Sequence, residues 1–129
     1  REIGTVLTKD SITTSIEYFN DKLLTSHEDG YIRLWDVRSP QTPTNTYKAH
    51  SKLVSSVEFN PNKSHIFCSV FFFLTLGLID TTVKVWDSRS TFPLQNIGTH
   101  HDKVFSVIWK HETELVAAGA DSKISIHSL

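Results

Sequence analysis

The chain has 129 residues, 13 basic and 14 acidic side chains, and a formal net charge of −1. That balance excludes a strong overall field toward nucleic acid or an anionic membrane, and the length allows one modest core. The single cysteine, Cys68, excludes an internal disulfide and any multi-cysteine metal site, and it suits a reducing compartment.

The first ten residues, REIGTVLTKD, carry no charged-then-apolar signal pattern and no initiator Met, and Met is absent throughout. The chain is therefore expected to be a piece of a longer protein. Next come three copies of one pattern. The segments starting at Thr13, Val54 and Val104 alternate apolar and polar residues with a period near two and are predicted first strands. Polar or Pro-containing turns come after them at Asn20-Asp21, at Asn60-Pro61-Asn62-Lys63 and at His111-Glu112-Thr113. Apolar second strands contain Leu23-Leu24, Ile66-Phe67-Cys68 and Leu115-Val116-Ala117. A turn Asp then opens each third strand: Asp29, Asp80 and Asp121. The first two of these strands close on Trp35-Asp36 and Trp86-Asp87, and the last reaches His127 in place of Trp. Loose segments with Pro at 39–43 and 90–93 lead to predicted outer strands, because Pro is tolerated at a sheet edge.

The spacing also exposes an anomaly. From the polar position before the first strand to the turn Asp is 20 residues in the first copy (Lys9 to Asp29) and 21 in the third (His100 to Asp121), but 30 in the second (His50 to Asp80). The surplus falls mainly at 70–79, an apolar run. Three readings stand for it: an extended strand pair, a partner-binding apolar loop, or an untranslated stretch read through in a gene model. The whole run from 66 to 79 is too short to span a membrane as a helix.

A repeat of 40–50 residues with four strands, with a Trp-Asp ending in the first two copies and an upstream His in the last two, resembles the WD-repeat β-propeller family. The resemblance implies an all-β fold: a partial propeller of about three four-stranded antiparallel blades, from a probable seven-bladed ring. The expected divisions are 1–10 (outer strand of a preceding blade, at 3–7), 11–49, 50–99 with the apolar insertion, and 100–129, a last blade lacking its outer strand. Within the family, the stretch Asp102-Lys103-Val104-Phe105-Ser106-Val107-Ile108-Trp109, with Gly119-Ala120-Asp121-Ser122-Lys123 after it, resembles the WD-repeat ribosome-biogenesis proteins of the PeBoW complex. That implies a non-enzymatic scaffold of large-subunit maturation and rRNA processing in the nucleus, nucleolus and nucleoplasm. Its partners would be another propeller protein and pre-60S particles.

Ser, His and Asp recur, so hydrolase chemistry is one reading, with His50 and Asp80, or His100 and Asp121, as base and orienter. The strained Gly-x-Ser-x-Gly turn is absent. The family resemblance gives these residues a structural role instead. His50, Asp80 and Trp86, His100 and Asp121, and Asp29 and Trp35 belong to a hydrogen-bond network completed by a Ser or Thr. A buried imidazole or indole N–H requires such partners. No metal or cofactor is expected: the His100-His101 pair points to opposite faces, and Cys68 has no ligand spacing around it. Candidate partner contacts are the loops before the first strands, with Lys9, Ser51, Lys52, His101, Asp102 and Lys103. Arg38 and Arg89 are further candidates, because Trp-Asp-x-Arg resembles the signature of propeller receptors of cullin ubiquitin ligases. Nothing points to a membrane or a small-molecule substrate, and RNA contact is not indicated.

Overall fold

The structure is a computed structural model that describes residues 5–8, 11–71, 81–98 and 100–129. Every regular element among them is a strand. In chain order these are β1 (Thr13–Phe19), β2 (Lys22–His27), β3 (Tyr31–Asp36), β4 (Asn45–Lys48), β5 (Val54–Phe59), β6 (Ile66–Phe71), β7 (Val83–Asp87), β8 (Pro93–Ile97), β9 (Val104–His111), β10 (Glu114–Gly119) and β11 (Ile124–Ser128). They form three antiparallel sheets in sequence order: β1-β2-β3-β4, β5-β6-β7-β8 and β9-β10-β11.

Local chemistry fixes the hairpins. Asn20 and Asp21 both take positive φ in the tight β1–β2 turn, a conformation their short polar side chains tolerate. Gly30, at φ 85°, turns the chain into β3. A Cβ there would stand 2.3 Å from the His50 carbonyl oxygen of the next sheet, so only glycine allows this approach. β8 begins on Pro93 at an outer edge, where the missing N–H costs no ladder bond.

Each sheet's first strand carries an irregularity near its start: between Thr13 and Ser15, between Val54 and Ser56, and opposite Ala118 and Gly119, where Val104 begins β9. Such a bulge inserts a residue and re-aims the strand. It lets Val54 and Val57 both be buried although an unbroken period of two would separate them.

The cores lie between sheets. Leu24, Ile32, Leu34 and Tyr47 of the first sheet meet Val54, Val57, Phe59, Phe67 and Trp86 of the second. Cys68, Val70, Val83, Val85 and Ile97 of the second meet Val104, Val107, Trp109, Leu115 and Ala117 of the third. The middle sheet is thus covered on both faces, which explains the apolar character of β6, interrupted only by the buried Ser69. The outer faces of the flanking sheets expose Ile16 and Tyr18 at one end and Ile124 and Ile126 at the other.

Two expectations differ in detail. Residues 5–7, expected in an outer strand, form none; a strand needs a neighbour for its ladder, and none of the described residues offers one. The insertion read as 70–79 begins later. Val70 and Phe71 are buried members of β6, and Phe71 occupies the register position of His27 in β2. Ser69 precedes Asp80 by 11 residues where Thr25 precedes Asp29 by four, so the surplus falls within 72–79, outside the described residues.

Candidate functional site

Each sheet holds a hydroxyl, buried in the first two and partly buried in the third, that links a histidine to the end of the third strand. In the middle sheet it is Ser69. The Trp86 indole donates to Ser69 Oγ at 3.0 Å, and His50 Nε2 lies 3.2 Å from the same oxygen. An indole N–H can only donate, so the hydroxyl accepts from it and retains both its proton and a second lone pair for the imidazole. Asp80 lies outside the described residues.

In the first sheet the hydroxyl is Thr25, at the same register as Ser69. Trp35 donates to it at 2.8 Å, but the histidine is His27, from β2 itself, with Nε2 2.8 Å from Thr25 Oγ1. Burial first, then the Arg33 charge, pushes the His27 pKa down. Asp29 turns to Arg33, which donates to Oδ2 at 2.7 Å, and to the Tyr31 N–H. Partial burial pushes the Asp29 pKa up, but these hydrogen bonds outweigh it and the net shift is downward.

In the third sheet the hydroxyl has crossed to the neighbouring strand. Ala117 stands where Thr25 and Ser69 stand, and Ser125 faces it where Arg33 and Lys84 stand. Ser125 Oγ lies 2.7 Å from His100 Nε2 and 2.8 Å from His127 Nε2. His100 Nδ1 donates to Asp121 at 2.9 Å, which holds the Asp121 carboxyl at a pKa of about 2. Burial pushes His127 down. Gly119, at the register of His27 and Phe71, makes room: a Cβ there would meet His100 Nδ1 at 2.6 Å.

The hydroxyls, His27, and the strand exchange in the third sheet escape matching by spacing alone. The signal for His27 is Lys9 in the usual histidine place, with a histidine two residues after Thr25. The Asp121, His100 and Ser125 line has the distances of a hydrolytic triad. Yet the same hydroxyl role recurs in the first two sheets with an indole on its other side, where it satisfies buried rings.

The candidate contact residues fall at two opposite ends. Ser51, Lys52 and His101 are exposed, and Asp102 and Lys103 partly exposed, before β5 and β9; Lys9 lies outside the described residues. Arg38 and Arg89 lie at the far end of the third strands. Each clasps its own Trp-Asp carboxylate through Nε and Nη2, holding Asp36 and Asp87 at pKa values of about 2. Cys68 is fully buried, and burial pushes its thiol pKa up.

Consecutive antiparallel sheets joined through their first strands, the first two with a buried indole of the third strand tied to a central hydroxyl, define blades of a β-propeller. The chain belongs to the WD40 family, described as WD domain, G-beta repeat, which matches residues 41–87 and 92–128. Among curated proteins it is similar to the ribosome biogenesis protein WDR12 homolog of Ixodes scapularis, 34% identical over 87% of this chain and 25% of that protein. The WDR12 homolog of Nematostella vectensis is also 34% identical, over 94% of this chain and 29% of the relative. The ribosome biogenesis protein YTM1 of Saccharomyces cerevisiae is 38% identical over 60% of this chain and 17% of that protein. The chain therefore spans about a quarter of the length of the first two relatives. A chain from the crystal structure of a mitotic checkpoint complex superposes with a TM-score of 0.75 over 88% of this chain and 35% of that one; at 22% identity this shows the fold alone.

Proposed function

We propose that this chain is part of a propeller that serves as a non-enzymatic scaffold in large ribosomal subunit biogenesis, in the nucleus and nucleolus. The similarity to WDR12 homologs across 87–94% of the chain carries the reading. Two structural features support a scaffold. The recurrent His, Ser/Thr and Trp groups bind one another inside the blades, and the apolar outer faces suit burial between further blades. Under this reading the loops with Ser51, Lys52, His101, Asp102 and Lys103 meet a second propeller protein, since rigid blades display variable loops for recognition.

The test is affinity purification of the full-length protein from its own cells, with mass spectrometry and RNA sequencing of the eluate. Biogenesis factors and pre-ribosomal RNA should co-purify, and Lys52→Glu with Lys103→Glu should reduce them. A purified complex without either component overturns the proposal.

A further inference from the structure

The third strands of the first two blades end in the same turn. The Arg38 main-chain N–H donates to Asp36 Oδ1 and the Ser39 N–H to the Asp36 carbonyl; Arg89 and Ser90 repeat both bonds on Asp87. Ser39 and Ser90 therefore occupy one position. Each comes directly after an arginine that clasps the Trp-Asp carboxylate.

The residues after them differ. Pro40 follows Ser39, and Thr42-Pro43 repeats the pair in the same loop, whereas Thr91 follows Ser90. The Ser90 hydroxyl oxygen accepts the Phe92 main-chain N–H at 3.2 Å and so holds its own turn. The Ser39 hydroxyl donates at 3.2 Å to the Gln41 side-chain oxygen, an exposed bond that fixes no main-chain group. The first loop is also the longer, residues 37–44 against 88–92. Residues 37–39, 41 and 42 are exposed. The ends of the loop are pinned, since the Val37 N–H donates to the Asp21 carbonyl and the Thr44 N–H to the Leu34 carbonyl. Residues 38–43 can thus extend into another protein's cleft while the ladders behind them stay closed.

We propose that Ser39 is a phosphorylation site for a proline-directed protein kinase. A kinase of this class places the residue after the acceptor where a main-chain N–H would be buried without a partner. Proline has no N–H and avoids that cost. The reaction moves the γ-phosphoryl group of ATP. Its bond to the ADP oxygen breaks, a bond from Ser39 Oγ to phosphorus forms, and the hydroxyl proton passes to the kinase's catalytic aspartate. The product carries a charge of about −1.5 to −2. That charge stands next in the chain to Arg38, whose guanidinium is largely exposed while it pairs with Asp36. The site does not depend on the ribosomal role.

The test incubates the full-length protein with ATP and a purified cyclin-dependent kinase, a member of the proline-directed class. Mass spectrometry then assigns phosphate residue by residue, and a second sample comes from the protein's own cells with phosphatases inhibited. Phosphate at Ser39 is expected in both samples. Ser90, in the same turn after the same arginine, should stay unlabelled. Pro40→Ala should slow labelling of Ser39 by about tenfold, the factor for one donor left without a partner. Ser39 unlabelled in either sample, phosphate on Thr42 in its place, Ser90 labelled as fast as Ser39, or Pro40→Ala labelled as fast as wild type overturns the proposal.

Discussion

The two seams of this chain join similar blades by different chemistry. The first is aromatic. Phe67 stacks on Trp86 at 6.0 Å, and Tyr47 and Phe59 pack edge-on to Phe67. The second is aliphatic and polar: Leu115 replaces Phe67, His127 replaces Trp86 and Ile97 replaces Tyr47. Its inner strands are joined through Glu58, whose carboxylate accepts the Trp109 main-chain N–H at 3.0 Å, and whose carbonyl accepts the Trp109 indole at 3.3 Å. A repeat thus keeps its register while the material filling the register changes. The first seam rests on several large buried rings, the second on smaller aliphatic side chains around the single large ring of Trp109.

The sharpest way to break this comparison is to truncate the same position in each blade. Trp86 is 1% exposed and touches both Tyr47 and Ser69. Trp86→Ala should cost about 3–5 kcal/mol in denaturant unfolding. His127→Ala, at the same register but partly exposed, should cost under about 1 kcal/mol, mostly the lost bond to Ser125. Equal losses would show that the rings do not carry the first seam.

Gly119→Ala comes next. The added methyl meets His100 Nδ1 at 2.6 Å and Asp121 Oδ1 at 2.9 Å. Opening that pair should destabilise the chain by about 1–3 kcal/mol, and the His100 imidazole NMR signals should shift. Tyr47→Phe keeps the ring and removes one hydroxyl. It should cost about 1 kcal/mol, leaving the Ser88 carbonyl with the Asn45 amide as partner.

The fold was legible in the sequence because a repeat reports its own register. Trp35 and Trp86 align three strands each, and the alternation around Val54 and Val104 marks the inner strands. What the pattern hid was exchange within a fixed geometry. A histidine can enter its slot from the loop, as His50 and His100 do, or from the strand, as His27 does. The third hydroxyl moved from the site of Ala117 to Ser125, because two side chains facing across a ladder reach the same space. The start of the insertion was misplaced for a related reason. Val70 and Phe71 share the apolar character of residues 72–79, yet their ladder partners, Val83 and Val54, assign them to the blade.

Glu58 offers the subtlest test of the second seam. Burial raises its pKa to about 6, against the Trp109 hydrogen bond, which lowers it; Glu17 nearby adds repulsion. A carboxyl whose folded pKa lies above its unfolded value of 4.5 penalises folding when ionised. The penalty is complete above about pH 6 and disappears as pH falls from 6 to 4.5. His27 and His127 act in the opposite sense, since their lowered pKa values make acid below pH 6.5 destabilising. The wild-type curve therefore mixes both signs, and the difference from Glu58→Gln isolates the carboxylate. The Gln oxygen still accepts from Trp109, so the variant should be more stable by about 1 kcal/mol at about pH 7.5, after discount for partial exposure. The gain should vanish by pH 4.5, in matched denaturation curves. A variant less stable at every pH would mean that the charge strengthens the Trp109 bond by more than its burial costs, and that the second seam is held by ionisation rather than in spite of it.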